Sequence, residues 1–113
     1  MFDALKNMGG LQGLMDAAKQ MQGEMKRLQD ELATRQITAD AGGGMVQATV
    51  NGRMELIKLK IDKTKIDPSD TDMLEDVVVA AVHAAQTRAA EVVKQEMQKK
   101  AGDLGLPPGM LGS

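Results

Sequence analysis

The sequence predicts an α+β chain with the order helix, three-stranded antiparallel sheet, long helix. Three observations lead there. Apolar residues recur at 3-4-3-4-3-4 spacing from Leu11 to Leu32, two alternating runs flank Asn51-Gly52, and a broad apolar stripe at helical spacing starts at Leu74. The hydrophobic period thus changes from helical to strand-like and back, which marks the elements before any other signal is considered.

The first helix is expected from residue 11, because Gly9-Gly10 closes a stretch, residues 1–10, that reads as a loose N-terminus. Leu11, Leu14, Ala18, Met21, Met25, Leu28 and Leu32 form the seam of a coiled coil or helix hairpin. Lys19, Gln20, Gln22, Glu24, Lys26, Arg27, Asp30 and Glu31 fill the outward positions. Gly13 and Gly23 weaken such a helix by roughly 1 kcal/mol each relative to Ala, so the seam needs a partner surface.

A first strand follows within residues 34–41, where Arg35, Ile37 and Ala39 alternate with Gln36, Thr38 and Asp40, and Gly42-Gly43-Gly44 turns it into the second. In the second strand Val46, Ala48 and Val50 share a face, and in the third Ile57, Leu59 and Ile61 do. Both sets are expected in the core, with Met45, Gln47, Thr49, Lys58 and Lys60 on the wet side. Asn51-Gly52 predicts a tight type I′ hairpin between the two strands, since this pair best tolerates two successive positive φ angles.

The third strand ends near Asp62, and Asp67-Pro68 suits a turn or a helix cap. Asp70, Asp72, Glu75 and Asp76 then open the second helix where its dipole favours acids, Asp72 and Glu75 having capping-box spacing. Its stripe of Leu74, Val77, Val78, Ala81, Val82, Ala85, Ala89, Val92 and Val93 suits packing on a sheet. Gly102 is expected to stop it, leaving residues 102–113 as a flexible tail after a single α-β-β-β-α domain at 11–101.

Composition limits what such a chain does. With 113 residues, one Phe and neither Trp nor Tyr, the core must be built from Val, Ile, Leu, Ala and the ten Met, and oligomerisation would add buried surface. The absence of cysteine removes disulfides, thiolate nucleophiles and Cys-based metal sites, and fits a reducing compartment. Asp3, Lys6 and Asn7 interrupt any signal peptide, and the longest apolar run, residues 77–82, is far too short for a membrane span, so a soluble intracellular protein is expected. Net charge is −2, yet charge is segregated: five basic residues lie between Gly52 and Lys65 against Glu55 and Asp62, and five acids with no base lie between Asp67 and Asp76. A positive surface is therefore compatible with an acidic protein.

No stretch carries catalytic chemistry. The triple glycine lacks the Gly-Lys-Ser/Thr ending of a nucleotide loop and leads into a strand, so a turn or bulge accounts for it better than a phosphate cradle. His83, the one histidine, has no ligand set or triad spacing around it, and a surface or half-buried side chain explains it better than a base or metal ligand. The acids at 70–76 match no calcium loop and suit a helix first turn. Met15, Met21 and Met25 fill an aromatic-poor seam more readily than they make an adaptable groove. No enzyme, cofactor, metal or small-molecule substrate is expected. The lysines read first as a solvated face, without interleaved aromatics for base stacking and without a zinc finger or helix-turn-helix.

The stretch AGGGMVQATVNGRMELIKLKID, followed by MLEDVVVAAVHAA, closing with LPPGM and preceded by KQMQGEMKRLQDEL, resembles the YbaB/EbfC family of bacterial nucleoid-associated proteins over nearly the whole chain. The resemblance implies a tweezer-like homodimer in which the sheet regions join and the helices project as arms. It also implies binding of double-stranded DNA, a cytoplasmic place at the nucleoid, and a part in nucleoid organisation and transcription regulation, with no membrane partner. If helix two covers the seam of helix one, Lys94, Lys99 and Lys100 lie near the arm tips, Lys19 and Arg88 further in, and Lys26 and Arg27 nearer the sheet. These seven are the expected DNA contacts, in preference to Lys58 and Lys60, and phosphate contact with strong salt dependence is the expected mode. The alternative is a protein-interaction adaptor of the same fold that uses its Met-rich helix or the LPPGM tail.

Overall fold

The computed structural model describes residues 8–105; residues 1–7 of the expected loose N-terminus and residues 106–113 of the expected tail, LPPGM included, lie outside them. Its elements are α1 (Met8–Thr34), β1 (Ile37–Ala41), β2 (Val46–Val50), β3 (Leu56–Ile61) and α2 (Thr71–Asp103). The described residues up to Glu31 form one compact unit, and those from Leu32 onward, with the sheet and α2, form the other.

In α1 the helical period holds through Gly9 and Gly10, so the helix begins three residues ahead of the expected start. Burial along its apolar seam is graded. Leu11, Leu14, Met15 and Ala18 are exposed, Met21 and Met25 are half-buried, and Leu28 and Leu32 are buried.

The strands form an antiparallel sheet in the order β1-β2-β3. Alternation works as expected on β2: Val46, Ala48 and Val50 are buried, and Ile37 of β1, opposite Val50, joins them. Ala81, Ala85 and Ala89 of α2, spaced by four, complete this core, with Leu74, Val77, Val78, Val82 and Val92 packed around it. Methyl side chains at that spacing let the helix backbone lie close on the sheet, and α2 does so over β1 and β2.

On β3 the expected core face is not covered. Leu59 stands opposite Ala48 and Ile61 opposite Val46, so both have the right facing. Only Ile61 is packed against the core, whereas Leu56 and Ile57 are each 48% exposed and Leu59 37%. The physical reason is reach: α2 lies on β1 and β2, and β3 is beyond it. A bulge between Thr49 and Val50 shifts the register so that Val50 pairs with Leu56.

The hairpin loop also differs from expectation. Residues 51–55 form a longer loop in which Asn51 Oδ1 accepts from the amides of Arg53 (2.9 Å) and Glu55 (3.1 Å), and the positive φ, 65°, falls on Met54. Gly52 is needed for a different reason. Its N–H donates to the Leu32 carbonyl at 3.0 Å, and a Cβ there would lie 2.1 Å from that oxygen. The last turn of α1 is thus closed by a loop amide, which satisfies one of the carbonyls that a helix end leaves open.

The triple glycine does turn β1 into β2, all three residues having φ between 65° and 88°, a left-handed run few other residues would accept. Asp67 makes a turn, accepting from Ser69 N and Oγ, and Asp70 is the actual N-cap of α2, accepting from Met73 N at 3.1 Å. At the other end α2 passes through Gly102, which was expected to stop it; Leu104 N donates to Lys100 O, and Gly105, at φ 76°, takes the left-handed position instead.

Candidate nucleic-acid interface

Three of the expected contacts lie on α1. Lys19, Lys26 and Arg27 are exposed, and the seven-residue step from Lys19 to Lys26 brings them to one side of the helix about 10 Å apart. Arg27 is tied to Glu24 one turn back, Nη2 to Oε1 at 3.2 Å, which fixes its direction but offsets part of its charge.

The other four lie on α2 and do not share a face. At about 100° per residue, Lys99 falls on the side of Arg88, Lys94 falls about 120° to one side of it and Lys100 about 120° to the other. Lys94 and Lys99 are exposed, Lys100 is half-buried, and Lys94 is on the side away from Ala81, Ala85 and Ala89. Arg88 borders the core face, and its Nη1 donates to the Thr38 carbonyl of β1 at 3.1 Å. Sequence reasoning could not see that this guanidinium also serves the sheet, since nothing local links residues 50 positions apart. Nearby, Arg35 pairs with Glu96 at 3.1 Å, so the shallow cleft formed by Arg35, Gln36, Thr38 and Arg88 has its charges largely engaged.

A second basic region forms where β3 leaves the sheet. Lys60 stands opposite Gln47, and the following turn carries Lys63 and Lys65 to the same cleft, of about 510 Å³, beside Gly44. Asp62 organises that turn. Its Oδ1 accepts from Thr64 Oγ1 (2.6 Å) and Thr64 N (3.0 Å), and Lys65 Nζ is 4.0 Å from Oδ2. The Thr64 hydrogen bonds, helped by Lys65 and Lys60, hold its carboxyl below the usual carboxylate range. Asp67 is held low in the same way by Ser69. Of these cations, sequence reasoning weighed Lys58 and Lys60 as a wet face; the charge excess between Gly52 and Lys65 was the signal that pointed to the others.

His83 is exposed on α2. Among the described residues no three of His, Cys, Asp and Glu come together in a way that could hold a metal ion. No helix among them is long and apolar enough to cross a membrane.

Residues 8–104 match the YbaB/EbfC DNA-binding family, which takes in every described element. A nucleoid-associated protein of Syntrophobacter fumaroxidans is 45% identical over 93 residues, 82% of this chain and 84% of that one. Another, of Moorella thermoacetica, is 44% identical over 100 residues, 88% of this chain and 96% of that one. Among solved structures, the uncharacterized protein HP0035 from Helicobacter pylori superposes with a TM-score of 0.56 at 26% identity, covering 69% of this chain and 90% of that one. The helix–sheet–helix scaffold and a family match that spans residues 8–104 lead to one conclusion: the chain belongs to the YbaB/EbfC DNA-binding family.

Proposed function

We propose that this protein is a non-enzymatic, nucleoid-associated protein of the cytoplasm that binds double-stranded DNA as a homodimer, mainly through the phosphate backbone, and contributes to nucleoid organisation and gene regulation. Membership of a DNA-binding family carries the reading. The exposed ammonium groups of Lys19 and Lys26 on α1, and of Lys94 and Lys99 on α2, support it, because such groups suit phosphate contact without base readout. Arg27, Arg88 and Lys100 complete the proposed contact set, Arg88 with the guanidinium nitrogens not given to Thr38. Dimerisation is supported by β3, whose Leu56, Ile57 and Leu59 are apolar, adjacent and exposed on an edge strand. A second copy of the same strand is the occupant that would cover both its backbone and its side chains.

Fluorescence anisotropy on a labelled duplex across a salt series tests the reading. With about six phosphates contacted, the log-log slope is expected near −5. The triple variant Lys94→Ala, Lys99→Ala, Lys100→Ala should bind more weakly at every sequence and with a shallower slope. An absence of binding at low salt would favour an adaptor role, for which the exposed Leu11, Leu14 and Met15 of α1 would be the surface.

A further inference from the structure

We infer that the cleft beside the glycine turn is a phosphate-contact site, in which Lys60 and Lys63 hold a backbone phosphate of duplex DNA with Gln47 beside them. It would give the protein a sheet-borne contact in addition to those on its helices. The inference rests on the DNA-binding reading above and assigns it a second place on the molecule.

Four observations carry it. The first is shape: about 510 Å³ of concave space is lined by Gly44, Gln47, Lys60, Asp62, Lys63 and Lys65, ample for a phosphodiester and its waters. The second is charge. Three ammonium groups meet one carboxylate, a net of two positive charges in one cleft of an acidic protein, and a bound anion relieves their mutual repulsion.

The third is the division of labour among the lysines. Lys65 is used internally, reaching Asp62 at 4.0 Å and donating to the Gly43 carbonyl at 3.2 Å. Lys65 Nζ also lies close over Gly44, 3.2 Å from where a Cβ would sit. Lys60 and Lys63 have no carboxylate within ion-pair distance among the described residues. The fourth is preorganisation. Lys60 is on a strand paired to β2, and Lys63 is on a turn pinned by the Asp62–Thr64 hydrogen bonds, so the backbone that carries both is already ordered when an anion arrives. With no aromatic residue in the cleft, the contact reads charge and not sequence.

The experiment compares wild type with Lys60→Ala/Lys63→Ala and with the charge-keeping Lys60→Arg/Lys63→Arg, each checked for folding by thermal melt. Anisotropy of a labelled duplex is read from low to moderate salt. The alanine pair should lower the magnitude of the log-log slope by about 1 per chain, the one phosphate being released, while the arginine pair keeps it. Amide NMR of the wild type titrated with the same duplex is independent of how any variant folds, and signals of Gly44, Gln47, Lys60 and Lys63 should shift together. A wild type that binds with these signals unmoved, or a folded alanine pair with an unchanged slope, would overturn the site and leave DNA binding standing. A wild type that binds no duplex would overturn both.

Discussion

The two edges of the sheet are built from similar strands and have opposite fates. β1 lies under α2, Ile37 is buried, and Arg88 reaches across to hold the Thr38 carbonyl. β3 carries larger apolar side chains, yet Leu56, Ile57 and Leu59 stay exposed. What separates them is the line taken by α2, whose alanines seat it over β2 and β1, so that of the β3 side chains Ile61 packs against that core. Apolar alternation therefore reports that a face is to be buried without saying by which molecule. On β2 the cover is this chain's own helix. On β3 the described residues leave Leu56, Ile57 and Leu59 open, and under the proposed homodimer a second copy would supply the cover that an apolar edge strand calls for.

A carboxylate placed on each strand gives the sharpest test of that contrast. Val46→Asp puts an unpaired charge into the covered face and is expected to cost more than about 4 kcal/mol, enough to abolish the urea unfolding transition. Ile57→Asp should leave circular dichroism and the fold intact while sedimentation shows a monomer. A folded Val46→Asp would break the assignment of the covered face, and a dimeric Ile57→Asp would remove β3 as the interface. Smaller in effect, Arg88→Ala removes an exposed charged hydrogen bond to the β1 edge and should lower stability by about 1 kcal/mol, seen as a drop in Tm. An unchanged Tm would mean that this edge needs no guard.

The smallest effect is acidic. Asp62 and Asp67 lie in the segment that follows β3, and hydrogen bonds from Thr64 and Ser69 hold both carboxyls below their ordinary value of 3.8. A depressed folded-state pKa contributes stability above the unfolded value and loses it as pH falls through the lower folded one. A slight fall in Tm is therefore expected only below about pH 4, and replacing Thr64 and Ser69 with Ala should flatten it. A loss beginning near neutrality would point to other groups.

Much of this was legible from period alone, including the buried faces of β2 and α2 and the order of the five elements. What escaped has physical causes. Asn51-Gly52 looked like a type I′ turn, but Gly52 is small because the Leu32 carbonyl passes over it, a contact with a partner 20 residues away. Gly102 looked like a helix stop, yet a single glycine is tolerated in a helix when the next residues still pack, and the positive φ moved to Gly105. For the site, residue type was readable and grouping was not. Sequence grouped Lys94, Lys99 and Lys100 and set Arg88 further along the same helix; helix geometry spreads the three lysines around the axis, and tertiary contact gives Arg88 to β1. Conversely, the basic run that holds Lys60, Lys63 and Lys65 was readable as segregated charge, but not that the Asp62–Thr64 turn brings the three to one cleft.

The hydrogen bond from Arg88 to Thr38 also bears on how large an assembly of this chain can grow. A sheet with two receptive edges propagates into a ribbon, each added copy offering a fresh end to the next. Here one carbonyl of the strand opposite β3, that of Thr38, is already engaged by a guanidinium of the same chain. Two copies joined through β3 would present at both outer ends a β1 with that carbonyl taken and α2 lying over it, a poorer template for a third copy than the apolar strand that joins the first two.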